Sequence, residues 1–371
     1  MYTYTEVKYK REEAGGFFHV LNQRVNQFFK EKNLTRKATA YGKFKAILFL
    51  AVYAGLVTTI CMANGNVAVM LLCFAYLGFH QICCALILGH EGVHGSFSNN
   101  PKLNKLMSYG FDLIGTSGYI WGMRHVHSHH PYPMVRELDL DIRQNEMLTL
   151  IPIEKPKKMF RYQHIYAPFL YLLYTLSVVF YRDYVDFFSD RIGNKRIKHG
   201  VKELTELFIA KVVYFGHTLI LPFFLSGCGW GWVIVGFLCM HVMSSITAAS
   251  ALFPAHIHED AIFPLPDPKT GELEFTWAEH QIKTTMDFGT NNPVVAFFWG
   301  GINYHVIHHL FPTVSHIHFR KIQGIFEKTA DEFGIQYNVQ PSLFKALRSH
   351  WRSLKKNGIA LVQVRELSEI V

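Results

Sequence analysis

The chain has 371 residues, half of them hydrophobic and only 18% charged, so it can bury a large apolar core and is not a disordered tail. Its 37 Lys and Arg against 28 Asp and Glu give a net charge of +9. The basic residues sit in patches between long uncharged runs, which is the pattern of a membrane protein rather than of a nucleic-acid binder.

In chain order, the first 40 residues are polar and basic with no apolar leader, so no signal peptide is expected. Within them Phe17, Phe18, Leu21, Val25, Phe28 and Phe29 recur at helical spacing, which predicts a helix lying either on the membrane surface or on the protein's own cap. Ala46 to His90 and Val212 to His258 then contain no Asp, Glu, Lys or Arg. Each run is twice the roughly 20 residues that a spanning helix needs, and each has a turn signal near its middle, Asn64-Gly65-Asn66 and Gly227-Cys228-Gly229. Two helical hairpins follow, with spans at roughly 46–63, 67–89, 207–226 and 230–252. Lys43, Lys45 and Lys211 flank them opposite the uncharged tips, which puts both termini in the cytoplasm by the positive-inside rule. A third uncharged stretch, Tyr162 to Tyr181, has basic flanks on both sides and is expected to be interfacial or re-entrant. The six cysteines, Cys61, Cys73, Cys83, Cys84, Cys228 and Cys239, fall in or beside the apolar runs without the spacing of a disulfide scaffold or zinc site, and read as reduced core thiols.

Histidine is the anomaly, with 21 copies and three tight clusters. The first is His90-Glu91-Gly92-Val93-His94, whose imidazoles share a helix face at a spacing of four. The second is His125-Val126-His127-Ser128-His129-His130. As an α-helix it would put His125 and His129 on one face, His130 about 100° away and His127 on the far side. The third is His305-Val306-Ile307-His308-His309, with His305 and His309 on one face and His308 turned from it. Neighbouring histidines therefore diverge, which suits two metals better than one. Isolated His80, His217 and His241 read as hydrogen-bonded core residues, whereas eight clustered imidazoles would repel one another if protonated and ask for a metal. Ligand type alone leaves iron, zinc, copper or nickel open. His90-Glu91-Gly92-Val93-His94 also fits the HExxH zinc-protease pattern, but that reading leaves six clustered histidines without a role.

The strings GHEGVHGSF at 89–97, WGMRHVHSHHPY at 121–132 and GGINYHVIHHLFPTVSHIHF at 300–319, in this order and with a hairpin between the last two, resemble the membrane-bound fatty acid desaturases, specifically the bacterial acyl-lipid or acyl-CoA branch. The resemblance runs from about residue 40 to 340. It implies two non-haem irons held by His90, His94, His125, His129, His130, His305, His308 and His309, with His256 just after the last span as a ninth ligand and His258 as its alternative. In the animal acyl-CoA branch an asparagine one turn before that histidine holds a water on iron. Here the position is Leu252, so another group serves or the coordination differs. Many front-end desaturases carry glutamine where this protein has His305, and the departure speaks against a front-end assignment. Asp139 and Asp141 match a family feature and would orient ligand imidazoles, unless they belong to a solvated turn.

The fold implied is an all-α integral membrane protein forming one domain over residues 1–371. Two transmembrane hairpins, four spans in all, carry a cytoplasmic helical cap at roughly 90–204 and 253–371 that holds the di-iron site. The activity implied is O2-dependent insertion of a double bond, cis if the tunnel bends, into a fatty acyl chain of a lipid or acyl-CoA. The haem-binding string His-Pro-Gly-Gly of a fused cytochrome b5 domain does not occur, so electrons are expected from a separate donor of the ferredoxin or cytochrome b5 type with its reductase. Trp121, Trp277, Phe297, Phe298 and Trp299 are aromatic candidates for the tunnel wall. A hydroxylase or ketolase on the same scaffold is the alternative, and a histidine-rich metal transporter is the alternative from another class.

Overall fold

The two uncharged runs each fold back on themselves where their turn residues stand. In the computed structural model, which describes residues 7–143, 146–153 and 156–359, a first helix α1 (Phe17–Glu31) precedes α2 (Ala40–Cys61) and α3 (Val67–Val93). Asn64 and Gly65 take the left-handed backbone, at φ 49° and 81°, that a tight reversal requires. Later come a bent pair, α4 (Lys158–Tyr171) and α5 (Tyr174–Phe188), and then α6 (Val201–Leu225) and α7 (Trp230–Ala255). The α6–α7 turn uses Gly227 and Gly229 in the same left-handed region, and Ser226 O accepts from Gly65 N at 2.8 Å, so the two hairpin tips touch. Among the described residues four helices are thus long and apolar enough to cross a membrane.

α3 and α7 form the inner pair and are held close by small residues. A Cβ on Gly78 would lie 2.2 Å from Met240 O, and one on Gly236 would lie 2.3 Å from the Phe74 ring, so both positions require glycine for the approach. Ser244 Oγ donates to Gly78 O at 3.0 Å and receives from Gln81 Nε2 at 2.6 Å, satisfying polar groups inside the pair. The isolated histidines are partnered in the same way: His80 Nε2 with Phe49 O, His217 with Tyr53 OH and Val213 O, His241 with Tyr214 OH and Thr175 Oγ1. All six cysteines are free, four of them buried and two half-buried.

The third uncharged stretch is not a straight span: α4 and α5 meet at 75°. Lys211 is no interfacial flank either. It lies ten residues inside α6, and its ammonium is buried against Asp183 Oδ2 at 2.7 Å, Gly115 O at 2.6 Å and Val179 O at 3.0 Å, which ties α6 to α5. Lys45 is likewise buried within α2. Of the three lysines that would mark the basic ends, only Lys43 stays exposed.

α1 settles on the protein itself. Phe17, Leu21, Val25 and Phe29 are buried with Val306, Ile307, Leu310 and Phe326 in a second apolar core distinct from the bundle. The short strand pairs stitch distant segments: Lys8–Lys10 runs parallel to Glu272–Thr276, and Met286–Phe288 runs parallel to Asn338–Gln340. Gly78→Val should overpack the α3–α7 contact and cost about 1–3 kcal/mol; the check is the thermal midpoint in detergent, which should fall, whereas Gly55→Ala, facing open space on α2, should leave it in place.

A candidate metal centre

The three histidine clusters come from different parts of the sequence and arrive at one end of the bundle, the first two at π turns and the third on a short helix of its own. α3 passes through one wide π turn, Ala85–Gly89, before His90 and His94, and ends at Gly95 with φ 63°. The second cluster follows the helix Gly118–Arg124, and its His125–His129 segment is itself a π turn closed by His130 N donating to His125 O at 2.9 Å. The third is a short helix, His305–Leu310, whose first turn is held by Asp287 Oδ1 accepting from Val306 N at 2.8 Å.

Two sets of four result. In each, one ligand atom per residue lies within 4.8 Å of all the others: His90, His94, His125 and His308 in one, His129, His256, His305 and His309 in the other. The spacing argument holds for the first and third clusters, where His90 and His94 stay together and His308 parts from His305 and His309. It fails for the second. The π turn adds a residue to the loop of the helix, so His125 and His129 go to different sets, and His130, not His129, returns to His125 at an Nε2–Nε2 distance of 3.0 Å. His130 is also 3.0 Å from His308 Nε2 and stacks on His309 with ring centres 4.5 Å apart, which sets it between the two sets. His127 lies outside both, with Nδ1 3.2 Å from Lys195 Nζ. His256 is in, at 2.7 Å from His305 Nε2, while His258 is buried elsewhere.

Hydrogen bonds on the outer nitrogens decide what the inner ones offer. His129 Nδ1 is 3.0 Å from Asp139 Oδ2, His256 Nδ1 is 2.9 Å from Thr284 O, and His309 Nδ1 is 2.8 Å from Gln281 Oε1. Each of these oxygens accepts, so each Nδ1 carries the proton and each Nε2 presents a lone pair. Lone pairs of His256 and His309 both face His305 Nε2, at 2.7 and 3.2 Å, and a single proton there cannot serve both. His94 Nε2 is buried with no hydrogen-bond partner among the described residues. A donor set of this kind fits metal cations, and protons leave it unsatisfied.

Electrostatics agree. Burial first, then the neighbouring rings, push His94, His125, His130, His305, His308 and His309 well below the ordinary imidazole value, and burial with His129 takes His256 down to about 3. His129 alone is raised: burial lowers it, but Asp139, with its charge and its hydrogen bond, and Asp141 outweigh that. Asp139 does orient His129, and it also accepts from Met134 N at 2.9 Å, so it is no solvated turn. Asp141 Oδ1 meets Arg124 Nε at 3.0 Å and Arg182 Nη2 at 3.2 Å, and the carboxylate also stands near His125 and His129.

A cavity of about 550 Å³ opens beside both sets. His90, His125, His129, His256 and His305 form its inner end, and Leu86, Leu140, Leu173, Tyr174, Val178, Leu252, Phe253 and Ile302 are among its apolar walls. Of the aromatic candidates only Trp121 lines it, stacked on His125 at 4.2 Å. Trp277 packs on Phe18, Trp299 is core, and Phe297 and Phe298 border a different cavity. Much of the wall comes from the segment 134–150 and from α4 and α5, whose leucines and tyrosines show no periodic signal that separates lining from packing. Gln281 and Thr284 were also invisible in the sequence, although Gln281, a lone amide in the buried stretch His280-Gln281-Ile282, is the kind of residue that needs a partner. Glu91 of the HExxH match is spent on structure: Oε1 accepts from Ser315 Oγ at 2.5 Å, His316 N at 2.7 Å and His316 Nδ1 at 2.8 Å.

The fatty acid desaturase family model matches residues 65–341, well over half of the sequence. The chain belongs to the fatty acid desaturase family. It is 30% identical over 363 residues, 96% of its own length and 99% of the relative, to the sn-1 linoleoyl-lipid 6-desaturase of Synechocystis sp.. It is 29% identical over 348 residues to a protein of the same description from Arthrospira platensis, covering 93% of each. It is also 29% identical over 360 residues to the acyl-lipid (8-3)-desaturase of Physcomitrium patens, covering 95% of its own length and 74% of that relative. This member of the desaturase family is thus a multi-helix protein of lipid metabolism with histidine groups able to hold metal.

Two outcomes test the site. After loading with Fe(II), His309→Ala and His94→Ala should lose most bound iron by elemental analysis while His127→Ala keeps it, and Asp139→Asn should weaken metal affinity about 10–100-fold by freeing the His129 ring. The second concerns acid. Rings whose folded pKa lies below the unfolded value near 6.5 cost nothing at neutral pH. Below about 6.5 the unfolded protein takes up protons that the folded one refuses, so stability falls by up to about 1.4 kcal/mol per pH unit for each ring, down to pH 3 in the case of His256. His129 works in the opposite direction but is outnumbered. The thermal midpoint of metal-free protein should therefore be lower at pH 5.5 than at pH 7.5.

Proposed function

We propose that the protein is an O2-dependent acyl desaturase acting on the fatty chain of a membrane lipid, with two irons held by His90, His94, His125, His129, His130, His256, His305, His308 and His309. The observation that carries this is the pair of four-histidine sets at the inner end of an apolar cavity. The relatives' names, acyl-lipid and linoleoyl-lipid desaturases, support lipid over acyl-CoA as the carrier. The C–H bonds of internal methylenes have no acidity and no leaving group, so acid–base side chains are of little use and the irons would supply the redox chemistry. Across the reaction dioxygen takes up four electrons, two from the acyl group and two from a separate donor of the ferredoxin or cytochrome b5 type, and leaves as two waters.

The protein's own residues do the rest. Leu86, Leu140, Val178, Leu252 and Ile302 keep the inner cavity dry and hold methylenes beside the histidines. Asp139, Thr284 and Gln281 keep ligand imidazoles in the tautomer that binds metal. Asp141, whose carboxylate stands near His125 and His129, is the group best placed to act where Leu252 replaces the water-holding asparagine. Leu173 and Tyr181 line the cavity and are also exposed, so the acyl tail would enter sideways past them from the bilayer. We assign the cap and both termini to the cytoplasm, where a soluble donor can reach the site. The relatives' 6-desaturase names favour a double bond toward the carboxyl end, against what His305 alone suggests.

A fatty-acid profile by gas chromatography and mass spectrometry, from a heterologous host expressing wild type beside His308→Ala, tests all of this. Expected is a new acid two hydrogens lighter, in the wild type only, with its double bond located by derivatisation. A product one oxygen heavier would replace desaturation by hydroxylation, and no product from iron-loaded protein with a competent donor would sink the assignment.

A further inference from the structure

A second cavity, about 430 Å³, sits at the base of α2 and shares no lining residue with the first. Lys45 and His316 are buried in its wall, Phe297 lies beside them, and Tyr41, Val294 and Arg320 are exposed at its rim. Lys45 is only 2% exposed, and its sole hydrogen-bond partner among the described residues is His316 Nε2 at 3.0 Å. His316 Nδ1 donates to Glu91 Oε1, so its Nε2 holds a lone pair and accepts from the lysine. Glu91 is already committed to three donors; its charge offsets part of the cost of burying Lys45, but it makes no hydrogen bond to the ammonium, which leaves donors of Lys45 free. The Phe297 ring, 5.0 Å from Nζ, shields the cation but accepts no second strong hydrogen bond. Lys45 thus brings a buried positive charge with donors to spare to a cavity whose other charged residue, Arg320, is also cationic. Burying such a charge is costly unless an anion completes it.

The surroundings say what carries the anion. Tyr41, Lys45 and Leu48, spaced by four and three, share one face of a spanning helix, and Tyr41 and Leu48 on either side of the lysine are 57% and 38% exposed. Across the mouth Val294 is 61% exposed. Apolar surface thus leads from the cavity along the span, and a lysine in the second turn lies at the depth of lipid headgroups. We propose that this cavity binds the anionic headgroup of a bilayer phospholipid, its phosphate oxygens accepting from Lys45 and Arg320 and its acyl tail lying along Tyr41 and Leu48. The bound lipid would brace Glu91, the neighbour of His90, through Lys45 and His316, and so steady the helix end that carries the first histidine cluster. The proposal does not depend on the reaction assigned to the protein.

Its test is lipid retention by the full-length protein, washed in neutral detergent after incubation with mixed micelles of equal phosphatidylglycerol and phosphatidylcholine. Wild type should keep about one equivalent of phosphatidylglycerol, as a single site requires. Lys45→Met, Arg320→Gln and Val294→Trp should each reduce it about fivefold or more, the last by filling the mouth with both cations intact. Arg320 and Val294 are exposed, so those two variants decide the matter even if Lys45→Met does not fold. Excess inorganic phosphate should leave the lipid in place. Equal retention of phosphatidylcholine, unchanged retention in both exposed variants, or displacement by free phosphate overturns the assignment.

Discussion

Nine imidazoles meet at one end of the bundle, and their inward nitrogens cannot satisfy one another. An array of Nε2 atoms 2.7–3.2 Å apart, several of them fixed as lone pairs, is satisfied better by cations than by protons. Much of the surrounding architecture serves this constraint. Asp139, Thr284 and Gln281 hold the outer nitrogens, Asp287 pins the start of the third cluster, and Trp121 covers His125. These partners come from loops and short elements far apart in sequence, so forming the site closes the cap around the bundle.

The helices deliver the ligands through interruptions. A straight α3 would carry His90 and His94 round on the phase of the membrane span. The π turn at Ala85–Gly89 resets that phase just before the ligands, and a second π turn lies within the middle cluster itself. A third, Val178–Arg182, lets one stretch of α5 present both Val178 to the cavity and Arg182 to Asp141. Each such turn sacrifices regular hydrogen bonding, which is tolerable where surrounding helices and side chains take up the freed groups.

This explains what the sequence made legible. Uncharged runs and their Asn-Gly and Gly-Cys-Gly turns reveal the hairpins because the bilayer imposes length and apolarity on every residue of a span. The eight clustered histidines were legible as a group because burying so many imidazoles makes chemical sense only together, whereas His256, outside the clusters, was reached only through the family resemblance. The division of the clusters was half legible: a spacing of four tells true for His90 and His94 and for His305 and His309, but the π turn, which leaves no mark in composition, sends His125 and His129 apart. Lys45 and Lys211 misled for a related reason. Counting charges assumes that a lysine near a span end faces water, whereas here both ammoniums turn inward to partners, His316 and Asp183, that lie hundreds or tens of residues away. The cavity wall was the least legible part, since Leu173 or Val178 lining a cavity looks the same in sequence as a leucine or valine in a core.

The ion network beside the cavity shows how one fold keeps a dry site next to a charged rim. Arg124 is wholly buried yet holds Asp141 at 3.0 Å and Asp186 at 3.2 Å, while Arg182 shares the same Asp141 Oδ1 at 3.2 Å and Arg143 takes the other oxygen of Asp186 at 2.9 Å. Burial raises the Asp141 carboxyl, but Arg124, His129 and Arg182 overcome it and hold it below the usual carboxylate range, so it stays ionised at neutral pH. Three guanidiniums against two carboxylates leave one positive charge in excess, and Arg143, at the cavity's edge, is the exposed member of the set. Because Arg182 also donates to Leu140 O at 2.6 Å, the network clamps the segment 138–143 onto α5. That segment carries Asp139 to His129 and Leu140 into the cavity wall. Charge at the rim thereby fixes both the orientation of the His129 imidazole and the apolar surface beside it.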